Sequence, residues 1–269
     1  MNGALIFAFN NQEIDYFSQA QWCSDRIHRH LDIPVTIVTD SRSRNEKNSQ
    51  HNIIEIEPEI GGNRVYDPVN HPRSSTWYNA SRYRAYELSP YEKTVVLDSD
   101  YVTCSDQLLR IFESPISVTA IKNVYDVTGR DGFKNYQKIS RTGLHHFWAT
   151  VLYFDRSQIS QDFFTMMEMI HKNYRHYSEI YHFISSPFRN DFAASIALNT
   201  VYGHLEHSIP VIPWAMANLN SDCEIQMLSE DRFEVIFKNH ETGQIKKVIL
   251  NNEDFHCMNK HSLVKLYEN

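Results

Sequence analysis

The sequence predicts an α/β fold with a mixed, mostly parallel central sheet and a late β-hairpin, and three stretches carry that expectation. An apolar strand at residues 4–9, a helix over 12–31 and a strand at 34–40 form a βαβ unit, which implies parallel strands and a right-handed crossover. The run Thr94-Val95-Val96-Leu97 reads as a buried strand that ends in Asp98-Ser99-Asp100. Residues 233–237 and 245–250 flank Asn239-His240-Glu241-Thr242-Gly243, a hairpin with a Gly-containing turn within about 232–250. With 269 residues, no internal repeat and no composition shift that marks a linker, the chain is expected to form one domain over 1–269.

The elements follow in order. Ala4-Leu5-Ile6-Phe7-Ala8-Phe9 is a continuous apolar run, as a strand covered on both faces requires. Asn10 and Asn11 end it. Ile14, Phe17, Ile27 and Leu31 recur with helical period, so 12–31 is amphipathic. Residues 52–56 give a third short strand, 61–76 reads as loop, and 77–88 as helix leading into the strand that ends at Asp98. Further strands are expected at 116–121 and 147–154, and helices at 163–173 and 191–202. Residues 122–144 have no clear period, and a connection of that length is usually functional.

Composition excludes several classes. The net charge of −7, without a basic arm, argues against a protein that coats nucleic acid, though not against one with a local basic patch. No apolar run reaches the ~18 residues of a membrane span. The first strand begins almost at Met1, without a basic n-region or small-residue cleavage site. Cys23, Cys104, Cys223 and Cys257 are scattered and form no CxxC pair. These features fit reduced thiols in a cytoplasmic protein with no membrane partner.

Asp98 and Asp100 carry the chemistry. Residues i and i+2 of an extended segment face one side, so both carboxylates can reach one ion. The carboxyl edge of an open α/β sheet is where ligands bind. Two hard oxygen donors there suit Mg²⁺ or Mn²⁺, and such an ion usually comes with a bound phosphate. The competing reading is a pair of solvated turn acids.

Residues 80–100, Ala80-Ser81-Arg82-Tyr83-Arg84-Ala85-Tyr86-Glu87-Leu88 and on through Asp98-Ser99-Asp100, resemble the metal-site region of GT-A (Rossmann-like) glycosyltransferases, most of all the glycogenin-like group. The resemblance implies a nucleotide-sugar donor, UDP-linked, whose diphosphate is held by Mn²⁺ or Mg²⁺ on Asp98 and Asp100, with Ser99 between them and Arg82 as a basic residue near the donor. It implies that Ala8, Phe9, Asn10 and Asp40 surround the nucleoside; taken alone, Asp40 is more simply a turn acid at a strand end. Asp254-Phe255-His256-Cys257-Met258-Asn259-Lys260 resembles the family's late histidine motif, which makes His256 the third metal ligand and Lys260 a phosphate contact. The usual Gly after the His is absent. A neutral imidazole with two carboxylates suits Mn²⁺. The resemblance places Asp191 at the reacting centre, although Asn190 or Asp191 would also make a good helix N-cap. The family's Gln after the acid is Phe192 here, and its Asn-Ser-Gly is Ala149-Thr150-Val151, departures that point to a sugar other than plain glucose or to a different pose.

Two segments concern the acceptor. Arg64, Arg73, Arg82 and Arg84 stand among Tyr66, His71, Trp77, Tyr78 and Tyr83, while residues 122–146 carry Arg130, Lys134, Lys138 and Arg141. Basic side chains steer phosphate backbones and interleaved aromatics stack on bases; solvated loop surface is the plainer reading. The opening Ala-Leu-Ile-Phe-Ala-Phe-Asn-Asn and the later His-Leu-Asp-Ile-Pro-Val resemble small glycosyltransferases of tailed phages. That setting implies transfer of arabinose or glucose to 5-hydroxymethylcytosine in double-stranded phage DNA, in the host cytoplasm. Two other functions stay open: a nucleotidyltransferase, which would want a Gly-rich or Lys/Arg signature early in the chain, and a sugar- or DNA-binding protein with a decayed transferase site.

Overall fold

The computed structural model of the chain describes residues 1–44, 50–67, 71–130, 137–140, 143–183, 187–205 and 208–268. Lys134 and Arg141 lie outside them, as do the side chains of Tyr66 and His71. In chain order the elements are β1 (Asn2–Phe7), α1 (Tyr16–Leu31), β2 (Val35–Thr39), β3 (Asn52–Glu55), β4 (Gly62–Asp67) and β5 (His71–Trp77). A 3₁₀ turn at Ser81–Arg84 leads into α2 (Ala85–Leu88), β6 (Lys93–Leu97), β7 (Tyr101–Val102), α3 (Leu109–Phe112), β8 (Val118–Ile121) and β9 (Val124–Asp126). Then come β10 (Trp148–Asp155), α4 (Gln158–Lys172), α5 (Tyr174–Ile180), α6 (Asn190–Val201) and β11 (Met216–Leu219). β12 (Glu224–Ser229), β13 (Arg232–Lys238), β14 (Ile245–Asn251), β15 (Phe255–Cys257) and α7 (Lys260–Tyr267) complete the order.

The central sheet has the order β3-β2-β1-β6-β10-β8. β3, β2, β1 and β6 are parallel to one another, and β10 runs antiparallel to both of its neighbours. The expected α/β class with a mixed, mostly parallel sheet is what forms. Period-two alternation divides the strands between two cores. Ala4 and Ile6 join Ile37, Val95 and Leu97 under Phe17, Ala20, Cys23 and Ile27 of α1. Leu5 and Phe7 join Val38 and Val96 under Phe163 and Met167 of α4 and Ala193, Ala194 and Ala197 of α6.

α1 starts at Tyr16 rather than at residue 12. Asn11 Oδ1 accepts from the amides of Glu13 and Ile14, closing a turn first, and Asp15 then caps the helix by accepting from Ser18 N at 3.0 Å.

The stretch expected to be loop at 61–76 is instead the β4–β5 ribbon, with Asn63 opposite Thr76 and Arg64 opposite Ser75. Trp77 ends β5, so the helical stretch begins only at Ser81. The ribbon lies outside the main cores, so its residues show no apolar alternation for the sequence to advertise. Gly62 has φ of +110°, and a Cβ on Gly61 would sit 2.0 Å from the Trp77 ring, so both glycines are required at its base.

The late hairpin is present and larger than expected: β12 pairs with β13 to make a three-stranded antiparallel sheet. A second small sheet, β7-β15-β11-β9, carries the chain's end back to the edge of the central sheet. No helix among the described residues is long and apolar enough to cross a membrane.

Candidate active site

β6 delivers its acids as the sequence implies. Asp98 N donates to Thr150 O at 3.1 Å, and Tyr101 N returns to Asp98 O at 3.1 Å, so the segment turns at once and re-enters as β7. α1 braces that turn: Gln19 Nε2 donates to Ser99 Oγ at 3.1 Å and Cys23 Sγ to Ser99 O at 3.0 Å. β15 pairs with β7, and its register sets His256 opposite Tyr101. That pairing carries a residue from the far end of the chain to the acids. One ligand atom each from Asp98, Asp100 and His256 lies within 4.8 Å of the others.

The donor set fits a divalent cation. His256 Nδ1 lies 2.7 Å from Asn218 Oδ1, an acceptor, so Nδ1 carries the proton and Nε2 a lone pair. Burial holds this imidazole below its usual pKa despite the Asp98 and Asp191 carboxylates, which keeps it neutral. Its Nε2 therefore points a lone pair at Asp100 Oδ2, 3.2 Å away. The Lys260 ammonium reaches the same oxygen, and a divalent cation between Nε2 and Oδ2 would be held by both.

Positive charge surrounds the pair of acids. Arg82, 2% exposed, ion-pairs with Asp98 Oδ1 through Nη2 and donates through Nη1 to Ala149 O at 2.6 Å. Lys260, the first residue of α7, reaches Asp100 Oδ2. Burial brings its ammonium down to about 8, against the raising effect of Asp98. Burial would also raise the Asp98 carboxyl, but Arg82 above all, with Lys260, holds it well below the usual carboxylate range.

Asp191 is not the N-cap of α6; it lies in the first turn. Its Oδ1 accepts from Ala149 N at 2.8 Å and its Oδ2 pairs with Arg189 at 2.8 Å. The β10–β8 ladder shifts register between Trp148 and Leu152, the interval that contains Ala149. Burial opposes the charge on Asp191, yet Arg189, His146 and the Ala149 amide keep its carboxyl below the usual range.

These residues line one cavity of about 500 Å³. Of the donor-side residues singled out in the sequence, Phe9, Arg82, Asp98, Ser99, Asp100, Asp191, His256 and Lys260 lie on its wall and Ala8, Asn10 and Asp40 do not; of the acceptor-side residues, Arg64, Trp77 and Tyr78 line it too. Asp40 is engaged by its own turn, accepting from Ser43 N at 3.0 Å and pairing with Arg42 at 2.8 Å. Asn10 is tied to the same corner, its amide donating to Ser43 Oγ at 2.7 Å.

Sequence reasoning gave three asparagines no place in the site, reading Asn190 only as a candidate helix cap, a position Arg189 takes. Asn79 and Asn190 line the cavity, and each has a buried Oδ1 without a hydrogen-bond partner among the described residues. Asn218 holds His256. Its signal was available: it is the polar residue of the short strand Met216-Ala217-Asn218-Leu219.

The rim is cationic and aromatic. The Arg64 guanidinium lies 3.5 Å from the Trp77 ring centroid, Arg189 5.4 Å from Phe192, and Arg42 5.9 Å from Tyr78. Of the other basic residues singled out, Arg73 and Lys138 are exposed and Arg84 pairs with Glu87. Arg130 is committed to Asp126 and Asp222 and does not reach the cavity.

Neither a family model nor a curated protein matches the chain. Solved structures do. A galactosyltransferase, LgtC, in complex with donor and acceptor sugar analogs is 18% identical over 74% of this chain and 69% of its own, with a TM-score of 0.45. Mouse xyloside xylosyltransferase 1 in its apo form is 13% identical over 78% of this chain and 85% of its own, at 0.43. The glycosyltransferase GlyE of Streptococcus pneumoniae TIGR4 is 16% identical over 75% of this chain and 43% of its own, at 0.38.

Proposed function

We propose that the chain is a metal-dependent glycosyltransferase of the GT-A type, one domain over residues 1–269. It moves a sugar from a UDP-linked donor to a hydroxyl, and the acceptor is 5-hydroxymethylcytosine in phage DNA. The observation that carries the transferase reading is the meeting of Asp98, Asp100 and neutral His256 beside Arg82 and Lys260 on one cavity wall. Two carboxylates and an imidazole would hold Mn²⁺ or Mg²⁺, which supplies Lewis-acid stabilisation of the departing diphosphate.

The chain's own residues do the rest. Phe9 offers a ring face to the uracil. Lys260 and Arg82 place positive charge where phosphate oxygens gather. Asp191, ionised and fixed by Ala149 N and Arg189, stands by the anomeric carbon, where positive charge develops as the glycosidic bond breaks. The buried carbonyls of Asn79 and Asn190 accept from sugar hydroxyls. The acceptor oxygen then bonds to the anomeric carbon as the bond from that carbon to the diphosphate oxygen breaks, and the hydroxyl proton passes to the departing diphosphate. The Arg64–Trp77 pair on the cavity wall, its guanidinium 3.5 Å from the ring centroid, supports a nucleic-acid acceptor, since guanidinium and aromatic planes receive phosphates and unstacked bases.

The test is a panel of nucleotide sugars incubated with hydroxymethylated and plain DNA, followed by mass measurement of the released nucleosides. A pentose or hexose increment on the hydroxymethylated base alone is expected. Transfer to glycans or proteins with none to DNA would overturn the acceptor, and no transfer or donor hydrolysis with any nucleotide sugar would overturn the transferase.

A further inference from the structure

We propose that Asn218 is a positioning residue for the metal site: it fixes the Nδ1–H tautomer of His256, and Asp126 orients it through Asn220. The proposal rests on the reading of His256 as a metal ligand. Strand register makes the arrangement. Asn218 on β11 lies opposite Asp126 on β9 and opposite His256 on β15, so the three occupy one row of the small sheet. Asn218 is fully buried, and an unpartnered amide there would be costly.

Each link in the row has only one direction. An ionised carboxylate accepts and cannot donate. Asp126 Oδ1 accepts from Thr128 N at 2.8 Å and Thr128 Oγ1 at 2.7 Å, and Oδ2 accepts from Arg130 Nε at 3.1 Å. Asn220 must therefore turn its amide nitrogen to Asp126 Oδ2, 2.7 Å away, which leaves its oxygen for Asn218 Nδ2 at 3.3 Å. Met258 Sδ, another acceptor, lies 3.6 Å from the same Nδ2. Asn218 has then only its oxygen to offer His256, and an oxygen there demands the proton on Nδ1. The Nε2 lone pair is thus set toward Asp100 by a carboxylate two side chains away. Partners of this kind on a metal-ligating histidine fix its tautomer and ring orientation, and their loss typically lowers metal affinity about 10- to 100-fold.

The imidazole nitrogen shifts of His256, read by ¹⁵N NMR on the full chain, report the tautomer directly. Nδ1–H is expected, and Nε2–H would overturn the proposal whatever any variant does. Mn²⁺ titration followed by electron paramagnetic resonance supplies the second readout. Asn218→Leu should weaken Mn²⁺ binding about 10- to 100-fold. Asn218→Asp, which still accepts from Nδ1–H but cannot donate to Asn220, should recover most of the loss. A merely structural role would leave the two variants equally impaired, and Asn218→Leu binding Mn²⁺ like the parent would also overturn the proposal. His256→Ala and Asp100→Asn in the same titration separate the two layers. If neither changes Mn²⁺ affinity, the metal site itself is wrong and the proposal falls with it. If both weaken binding and Asn218→Leu does not, only the role of Asn218 falls.

Discussion

Arg82 and Asp98 meet in an ion pair whose arginine is almost wholly buried, and the same guanidinium grips the Ala149 carbonyl. Ala149 in turn gives its amide to Asp191. One residue of β10 therefore couples the arginine behind the first acid to the carboxylate across the cavity. Removing Arg82 should strand a carboxylate in a site built for its partner. Arg82→Met is expected to lower unfolding free energy by about 3 kcal/mol in urea denaturation. Arg82→Lys should recover only part of this, because an ammonium lacks the fork that spans Asp98 and Ala149. A loss under about 0.5 kcal/mol for the methionine variant, the range of an inconsequential surface change, would contradict the coupling.

Acid should unfold the metal-free chain in a characteristic way. Asp98 and Asp191 are both held below the ordinary carboxylate range in the folded state. A depressed folded value means stability that is present above the unfolded value of about 4 and lost as pH falls through the folded one. Thermal stability measured in chelator should decline steeply below about pH 4. Asp191→Asn should make that decline shallower, and an unchanged slope would show that Asp191 is not held as described.

Asn79 offers a test of binding separated from folding. Its Oδ1 is buried without a partner among the described residues, and its Nδ2 makes only a 3.5 Å contact with Phe7 O. Asn79→Leu keeps the volume and removes a polar group that contributes little to the free protein. Stability should change by less than about 1 kcal/mol, while the KM for the donor rises. A variant that loses stability and keeps its KM would reverse the assignment.

The ribbon over the cavity is expected to act on the acceptor alone. Gly61→Ala drives a methyl group into Trp77, and Arg64→Ala removes the cation stacked on it. Both should raise the KM for DNA and weaken its salt dependence while donor hydrolysis in the absence of DNA stays unchanged. Equal losses in donor hydrolysis would place the ribbon in the donor site instead.

Where the sequence was legible, burial made it so. β1, β2, β6 and β10 are covered on both faces and read as apolar runs, and the Asp98-Ser99-Asp100 step stood out because it broke one of them. The β4–β5 ribbon was not legible, since strands outside the main cores need no apolar face. Asp191 is singled out by resemblance and not by chemistry, because an acid near a helix start is ordinary; the structure gives it the Ala149 amide at 2.8 Å. Asp40 has its carboxylate engaged by its own turn, as strand-end acids commonly do. Asn218 shows in the sequence only as the polar residue of a short apolar strand, because its partner is set by a register between β11 and β15, with His256 standing 38 residues away in the chain.

On the proposed reading Asp98, Asp100 and His256 hold a nucleotide diphosphate through a metal ion. Isothermal titration of UDP into the chain, with Mn²⁺ and then with excess chelator, tests it most directly. Saturable binding that requires Mn²⁺ and disappears in Asp100→Asn, with the variant's thermal unfolding preserved, is the predicted result. UDP binding of equal strength in chelator, or in Asp100→Asn, would contradict it.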